Sequence, residues 1–228
     1  MRIAFLCSGG GGNLRFVASA IREGWIGDAQ ICAVLSDREC AADAFARTQG
    51  LFAEVMDFSA TGQPAVLKRL LALDPQVIVT TVHKILTPAF VGAFAGRIVN
   101  LHYSLLPAFA VEIGDGPVRT AIEHGVKFVG VTVHQVDERV DMGRPIIQAV
   151  TAMPHAPKLE EVMNVLFRSG CIGLLNAIAS FSPDSYPWTW SENPQASTTQ
   201  AGQVVHFNPA VVIHPSLEQE QGWDFLSR

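Results

Sequence analysis

Long apolar runs, clustered basic residues and paired cysteines are all missing from this chain. No unbroken apolar stretch reaches the roughly 18 residues that a membrane span needs, so none is expected. The opening run, Met1 to Cys7, is cut off at Gly9–Gly12, too short for a secretory signal, and reads as a first strand. Lys and Arg total 16 against 21 acidic residues, giving a net charge of −5 with no basic run. Contact along a nucleic-acid backbone needs clustered cations, so no nucleic-acid partner is expected. Only 16% of residues are charged and 49% are hydrophobic, which excludes disorder and predicts a packed core. The four cysteines, Cys7, Cys32, Cys40 and Cys171, form no Cys-x-x-Cys pair, and reduced, buried thiols in a cytoplasmic protein are the expectation. The seven histidines lack zinc-type spacing, so no metal is expected. The dinucleotide fingerprint G-x-G-x-x-G is missing too: its third glycine would fall at Leu14 or Arg15.

What is present alternates. Apolar runs over 2–7, 30–35, 53–58, 75–81, 97–102, 128–136 and 145–153 read as strands. Helical patterns follow Asn13, then cover 40–49, 64–73, 117–124 and 159–181, the last with Val162, Leu166, Ile172, Leu175 and Ile178 on its apolar face. Strand–helix alternation of this kind predicts an α/β fold with a parallel sheet and right-handed crossovers. The loop Ser8-Gly9-Gly10-Gly11-Gly12-Asn13 between the first strand and helix has two readings: a cradle of backbone N–H groups for an anion, or a tight turn that needs small residues. Asp37, closing the second strand, has the position of a ribose-binding acid but lacks the glycine fingerprint that such a role accompanies.

The most informative string is Arg97-Ile98-Val99-Asn100-Leu101-His102-Tyr103-Ser104-Leu105-Leu106-Pro107. On a strand, Asn100 and His102 leave the same face, an amide donor beside a titratable ring. Donors placed together can hold an oxygen that gains charge during acyl transfer. Pro107 discourages continuation, so the pair sits near the carboxyl end of a strand, where open α/β sheets bind ligands. A histidine in an apolar strand also serves as an ordinary core residue, and the pair alone does not separate these readings.

The wider string resembles the signature of the folate-dependent formyltransferases. That family includes glycinamide ribonucleotide transformylases and the methionyl-tRNA and sugar N-formyltransferases. Val82-His83-Lys84-Ile85-Leu86-Thr87-Pro88 resembles its pterin-binding loop, and Asp137-Glu138-Arg139-Val140-Asp141-Met142-Gly143 its second acidic motif. The resemblance spans residues 1–178. It implies a Rossmann-like, mostly parallel open sheet of about seven strands with helices on both faces, in a catalytic domain over 1–180. It implies Asn100, His102 and Asp141 as catalytic residues, with Asp141 orienting His102. It implies 10-formyltetrahydrofolate as formyl donor, held by His83, Lys84, Ile85, Leu86, Val91, Val136, Asp137 and Val140. A small-molecule primary amine is the implied partner, contacted by Gly10, Gly11, Gly12, Asn13, Tyr103, Gly114 and Pro117; a homodimer is compatible with it.

The departures fall on the acceptor side. The ribonucleotide transformylases carry Ser-Gly-x-Gly-Ser-Asn-Leu, and Gly12 replaces the second serine. Tyr103 stands where Pro or His is usual, and the stretch 108–117 lacks the histidines of those enzymes, although Gly114 and Pro117 resemble the Gly-x-x-Pro of the sugar and tRNA enzymes. These departures favour an amine other than glycinamide ribonucleotide, such as an amino sugar or specialised metabolite. Glycinamide ribonucleotide itself, a nicotinamide-dependent oxidoreductase and a non-catalytic folate-binding module are the alternatives. Residues 181–228 have no counterpart in the resemblance. They are expected to form an extension, with a hairpin of 203–207 and 211–214 about Asn208-Pro209 and a Trp-bearing segment, 185–190.

Overall fold

The computed structural model describes residues 1–181 and 194–227. Its first half alternates strand and helix: β1 (Arg2–Cys7), α1 (Gly12–Arg22), β2 (Gln30–Ser36), α2 (Ala41–Thr48), β3 (Ala53–Val55), α3 (Gln63–Leu73), β4 (Val77–Thr81), α4 (Pro88–Ala93) and β5 (Ile98–His102). There follow α5 (Gly116–Glu123), β6 (Phe128–Gln135), β7 (Pro145–Ala152), α6 (Leu159–Ala179), β8 (Gln195–Gln200) and β9 (Gln203–Val211), then 3-10 turns over Pro215–Glu218 and Glu220–Ser227. Among the described residues, these nine strands join one sheet, ordered β3-β2-β1-β4-β5-β6-β7-β9-β8.

The first five strands pair in parallel; β1, β4 and β5, at the centre, are buried on both faces and read as apolar runs, whereas β3 is a half-exposed edge. Alternation sorts their side chains. Ile3, Phe5, Val77, Val79 and Val99 pack on one face with α1, α2, α5 and α6. Ala4, Leu6, Ile78 and Ile98 pack on the other with Val66 and Leu70 of α3 and Phe90 of α4. The helix α4 was not expected from the sequence; Thr87 starts it, its hydroxyl accepting from the Phe90 N–H, with Pro88 in the first turn.

The remaining strands depart from a parallel reading. β6 runs antiparallel to β5, and β7, β9 and β8 continue antiparallel. The connection between β5 and β6 contains a helix, yet it returns on the same side of the sheet, with α5 packed against α6. α6 is long and apolar enough to cross a membrane, but 83% of its apolar window is buried inside the protein. It is the central core helix.

The C-terminal segment joins this same sheet and core rather than standing apart. Val205, Phe207, Val211, Val212, Ile213, Leu217 and Trp223 are buried in the cluster that α6 centres. Buried Asn176 of α6 fixes the segment, donating to the Val212 carbonyl at 2.9 Å and accepting from its N–H at 2.8 Å. The hairpin turns at Ala201-Gly202, not at Asn208-Pro209, which lies within β9. Both turn residues have positive φ, 45° and 78°, as a two-residue hairpin with the right twist requires. The Trp-bearing stretch 185–190 lies outside the described residues. Cys7 and Cys171 are buried free thiols, while Cys32 and Cys40 are partly exposed. Burial pushes the Cys7 thiol up to about 12, which keeps it protonated and inert.

Candidate active site

The carboxyl ends of β4 and β5, the loops after them and the turn between β6 and β7 enclose a cavity of about 380 Å³. Asn100, His102 and Asp141 all line it. β5 supplies the first two from one face, as the alternation requires. Asp141 comes from the 136–144 turn, which folds back so closely that a Cβ on Gly143 would run into the Gln135 carbonyl oxygen. That turn carries Asp141 at φ 54°, a left-handed conformation that Asp tolerates better than most residues.

His102 is buried, with each ring nitrogen facing an oxygen. Nδ1 lies 3.5 Å from Asp141 Oδ2, and Nε2 donates to the Phe109 carbonyl at 3.0 Å. Asp141 Oδ2 also accepts from the Val111 N–H at 2.9 Å. The 108–114 loop therefore holds both groups through its backbone. Phe109 and Val111 do this at φ 55° and 65°. For a β-branched residue such as Val111 that conformation is strained.

A further participant is His134, which the sequence reading placed on β6 without a role. It lies directly across the antiparallel ladder from Asn100. Its Nδ1 donates to the Gln135 carbonyl at 2.9 Å. Burial depresses its pKa, so the ring stays neutral and Nε2 is left as an acceptor. Asn100 Nδ2 donates to that nitrogen at 3.3 Å. The contact fixes which way the amide points and leaves its second N–H for the cavity. The signal for His134 lay in strand register, which a single sequence does not print.

Two more buried polar residues shape the loops. Thr132, opposite His102 on β6, donates to the Ser104 carbonyl at 2.7 Å and accepts from the Leu106 N–H at 3.1 Å, pinning the turn after β5. Gln63 of α3 donates to the Phe58 and Ile85 carbonyls at 3.1 and 2.9 Å and accepts from the Thr87 N–H at 2.7 Å. It thereby sets the path of the 82–87 loop, whose other end is held by the His83 N–H donating to Ser8 Oγ at 2.7 Å.

The cavity divides by its walls. His83, Lys84, Ile85, Leu86, Val91, Val136, Asp137 and Val140, the residues expected to hold a folate, all line it. On the acceptor side, Asn13, Tyr103 and Gly114 line it, whereas Gly10, Gly11, Gly12 and Pro117 do not. Pro117 is buried in the first turn of α5 instead. Tyr103 hydrogen-bonds Asn13, and burial raises its pKa. At Gly12 a Cβ would lie 2.8 Å from the Phe167 ring, so α6 occupies the space that a serine there would need.

The formyl transferase family model matches residues 1–178. The formyltetrahydrofolate deformylase of Escherichia coli K12 is 40% identical over 93 residues, covering 40% of this chain and 32% of that protein. The chain thus spans about a third of the length of such deformylases. The phosphoribosylglycinamide formyltransferase of Haemophilus influenzae is 36% identical over 171 residues, covering 71% of this chain and 77% of that protein. Among solved structures, glycinamide ribonucleotide transformylase 1 from Symbiobacterium toebii superposes with a TM-score of 0.73 at 34% identity, covering 79% and 87% of the two chains. With the family match running unbroken from β1 through nearly all of α6, the chain belongs to the formyl transferase family.

Proposed function

We propose that this protein moves a formyl group from 10-formyltetrahydrofolate to a small acceptor, with Asn100, His102 and Asp141 as the catalytic residues. The observation that carries the proposal is the convergence of these three side chains on one cavity, linked through His102. The cavity suits a flat, partly apolar donor: its size lies in the ligand-pocket range, and Val82, Leu86, Val91, Val136 and Val140 give it apolar walls. The folate supplies an activated formyl carbon; the protein supplies position and field. Asn100 offers its spare N–H to the oxygen on which charge develops. His102 re-aims its Nε2–H from the Phe109 carbonyl to that oxygen, while the Asp141 carboxylate beside Nδ1 stabilises positive charge on the ring. The loop carbonyl at Phe109 is a placeholder for that oxygen. As the bond from the formyl carbon to N10 breaks, N10 takes up a proton and the acceptor nitrogen gives one up, so the exchange balances within the site.

Among amine acceptors, several features favour one other than glycinamide ribonucleotide, such as an amino sugar or specialised metabolite. Gly9 to Gly12 stay outside the cavity, Phe167 fills the site of the missing hydroxyl, and the described lining holds one lysine and four carboxylates, Glu112, Asp137, Glu138 and Asp141, of which Asp137 is paired with Arg139. A phosphate finds few partners there. Hydrolysis, with water as acceptor, is a second reading; the similarity to formyltetrahydrofolate deformylases favours it. Release of tetrahydrofolate from 10-formyltetrahydrofolate, measured with water alone, with glycinamide ribonucleotide and with small amines, separates the readings. Titration with 5-formyltetrahydrofolate tests the donor site: no binding at millimolar concentration removes the proposal.

A further inference from the structure

We infer that Glu112 selects an acceptor carrying a second, non-reacting positive charge, an amine that also bears an ammonium or guanidinium group. The inference rests on the transferase reading above and narrows its substrate class. Glu112 follows directly on Val111, whose N–H is held by Asp141, and lines the cavity beside Asn13, Tyr103, Ile113 and Gly114. With the donor against 82–91 and 136–140, this is the wall left to the acceptor.

The carboxylate is fixed in place. Oε2 accepts from Thr120 Oγ1 on α5 at 2.8 Å. The α5 backbone closes on it as well, since a Cβ on Gly116 would lie 3.3 Å from the same oxygen. Its rotamer freedom is already spent, so a ligand that pairs with it does not have to order it. A hydroxyl donates one hydrogen, and Oε1 has no other hydrogen-bond partner among the described residues. The carboxylate therefore has acceptor capacity open to the cavity.

Among the described residues no cation pairs with Glu112 to compete for that capacity. Lys84 is, among the described residues, the only Lys or Arg in the lining, and it sits on the donor-side loop near Asp37 and Asp57, whose carboxyl pKa values are lowered chiefly by Arg38 and Ser59 and further by the Lys84 charge. The arginine nearest in sequence, Arg119, is tied to Asp115 at 2.7 Å. A fixed, half-satisfied carboxylate in a cavity of excess negative charge favours an N–H-bearing cation and disfavours phosphate or carboxylate. The reacting nitrogen must be neutral to attack, so the charge that Glu112 recognises belongs to the other end of the acceptor.

The test compares 1,5-diaminopentane with pentylamine as acceptors, with 10-formyltetrahydrofolate as donor, at fixed ionic strength. After division by two for its equivalent nitrogens, the diamine should have a kcat/KM higher by about 10- to 100-fold, the scale of one charge-assisted hydrogen bond. Glu112→Gln keeps an oxygen for Thr120 and removes the charge; in that variant the ratio should fall to about one. A ratio near one in the wild-type protein, the same ratio in both proteins, or no amine faster than water while the folate binds would each overturn the inference and leave the donor site standing. Failure of the folate to bind would instead bring down the transferase reading, and this inference with it.

Discussion

Replacing Gln63 by Met probes the loop that is expected to hold the folate without replacing any residue that lines the cavity. The side chain is 2% exposed, so a near-isosteric apolar residue fits the space. Three hydrogen bonds disappear, to the Phe58 carbonyl, the Ile85 carbonyl and the Thr87 N–H. Phe58 is buried, so its carbonyl is left without water and costs about 1–3 kcal/mol. Ile85 is 74% exposed, and the two groups on the 85–87 side regain water, at a net loss of about 0.5–1.5 kcal/mol each. The expected destabilisation is therefore roughly 2–6 kcal/mol. Re-ordering two released loop residues on binding costs a further ~1–2 kcal/mol apiece, so the Kd for 5-formyltetrahydrofolate should rise by about 30- to 10³-fold. Urea unfolding gives the first number and isothermal titration the second. A variant that unfolds early yet binds with the wild-type Kd would refute the claim that Gln63 shapes the loop. One with an unchanged unfolding midpoint would refute the hydrogen-bond accounting itself.

Two other outcomes follow from single contacts. Gly12→Ser should destabilise by about 1–3 kcal/mol because its Cβ meets the Phe167 ring, and the cost should shrink when Phe167→Ala is combined with it; additive urea-denaturation energies would exclude the clash. His134 is held neutral by burial, with a pKa below its unfolded value near 6.5. On acidification through that value the unfolded chain takes up a proton that the folded ring resists, so folding stability falls as pH drops from about 6.5 to the lower folded pKa and the loss then levels off. Between pH 7.5 and 5.5 the wild-type protein should lose more stability than His134→Gln, and equal slopes would contradict the buried, neutral ring.

The parallel half of the sheet was legible because two buried faces leave unbroken apolar runs such as Ile3 to Leu6 and Val77 to Val79. Asn100, His102 and Asp141 were legible as motifs, and alternation on β5 explains why the first two share a face. His134 was not: it joins the site only because β6 runs antiparallel to β5, and a connection containing a helix argued for the other direction. Gln63 and Thr132 were hidden for another reason. Their partners are backbone groups of distant loops, and a polar residue in a helix or strand gives no sign in sequence of which carbonyl it meets. The hairpin was displaced because Ala201-Gly202 lacks the Asn or Asp that usually marks such a turn, whereas Asn208-Pro209 resembles one. Apart from Gly114, the loop 108–114 gave no sign of its course, which is set by the Phe109 carbonyl on His102 and the Val111 N–H on Asp141.

We propose that His102, held by Asp141 and aided by Asn100, drives formyl transfer from a bound folate. The most direct measurement is the rate of tetrahydrofolate release from 10-formyltetrahydrofolate by the wild-type protein, Asp141→Asn and His102→Ala, each at saturating donor, with folate affinity measured in parallel. On that proposal both variants should fold, retain folate binding and turn over at least ~10²-fold more slowly, the loss typical of a preorganised acid–base or oxyanion group. Either variant releasing tetrahydrofolate at close to the wild-type rate would contradict it.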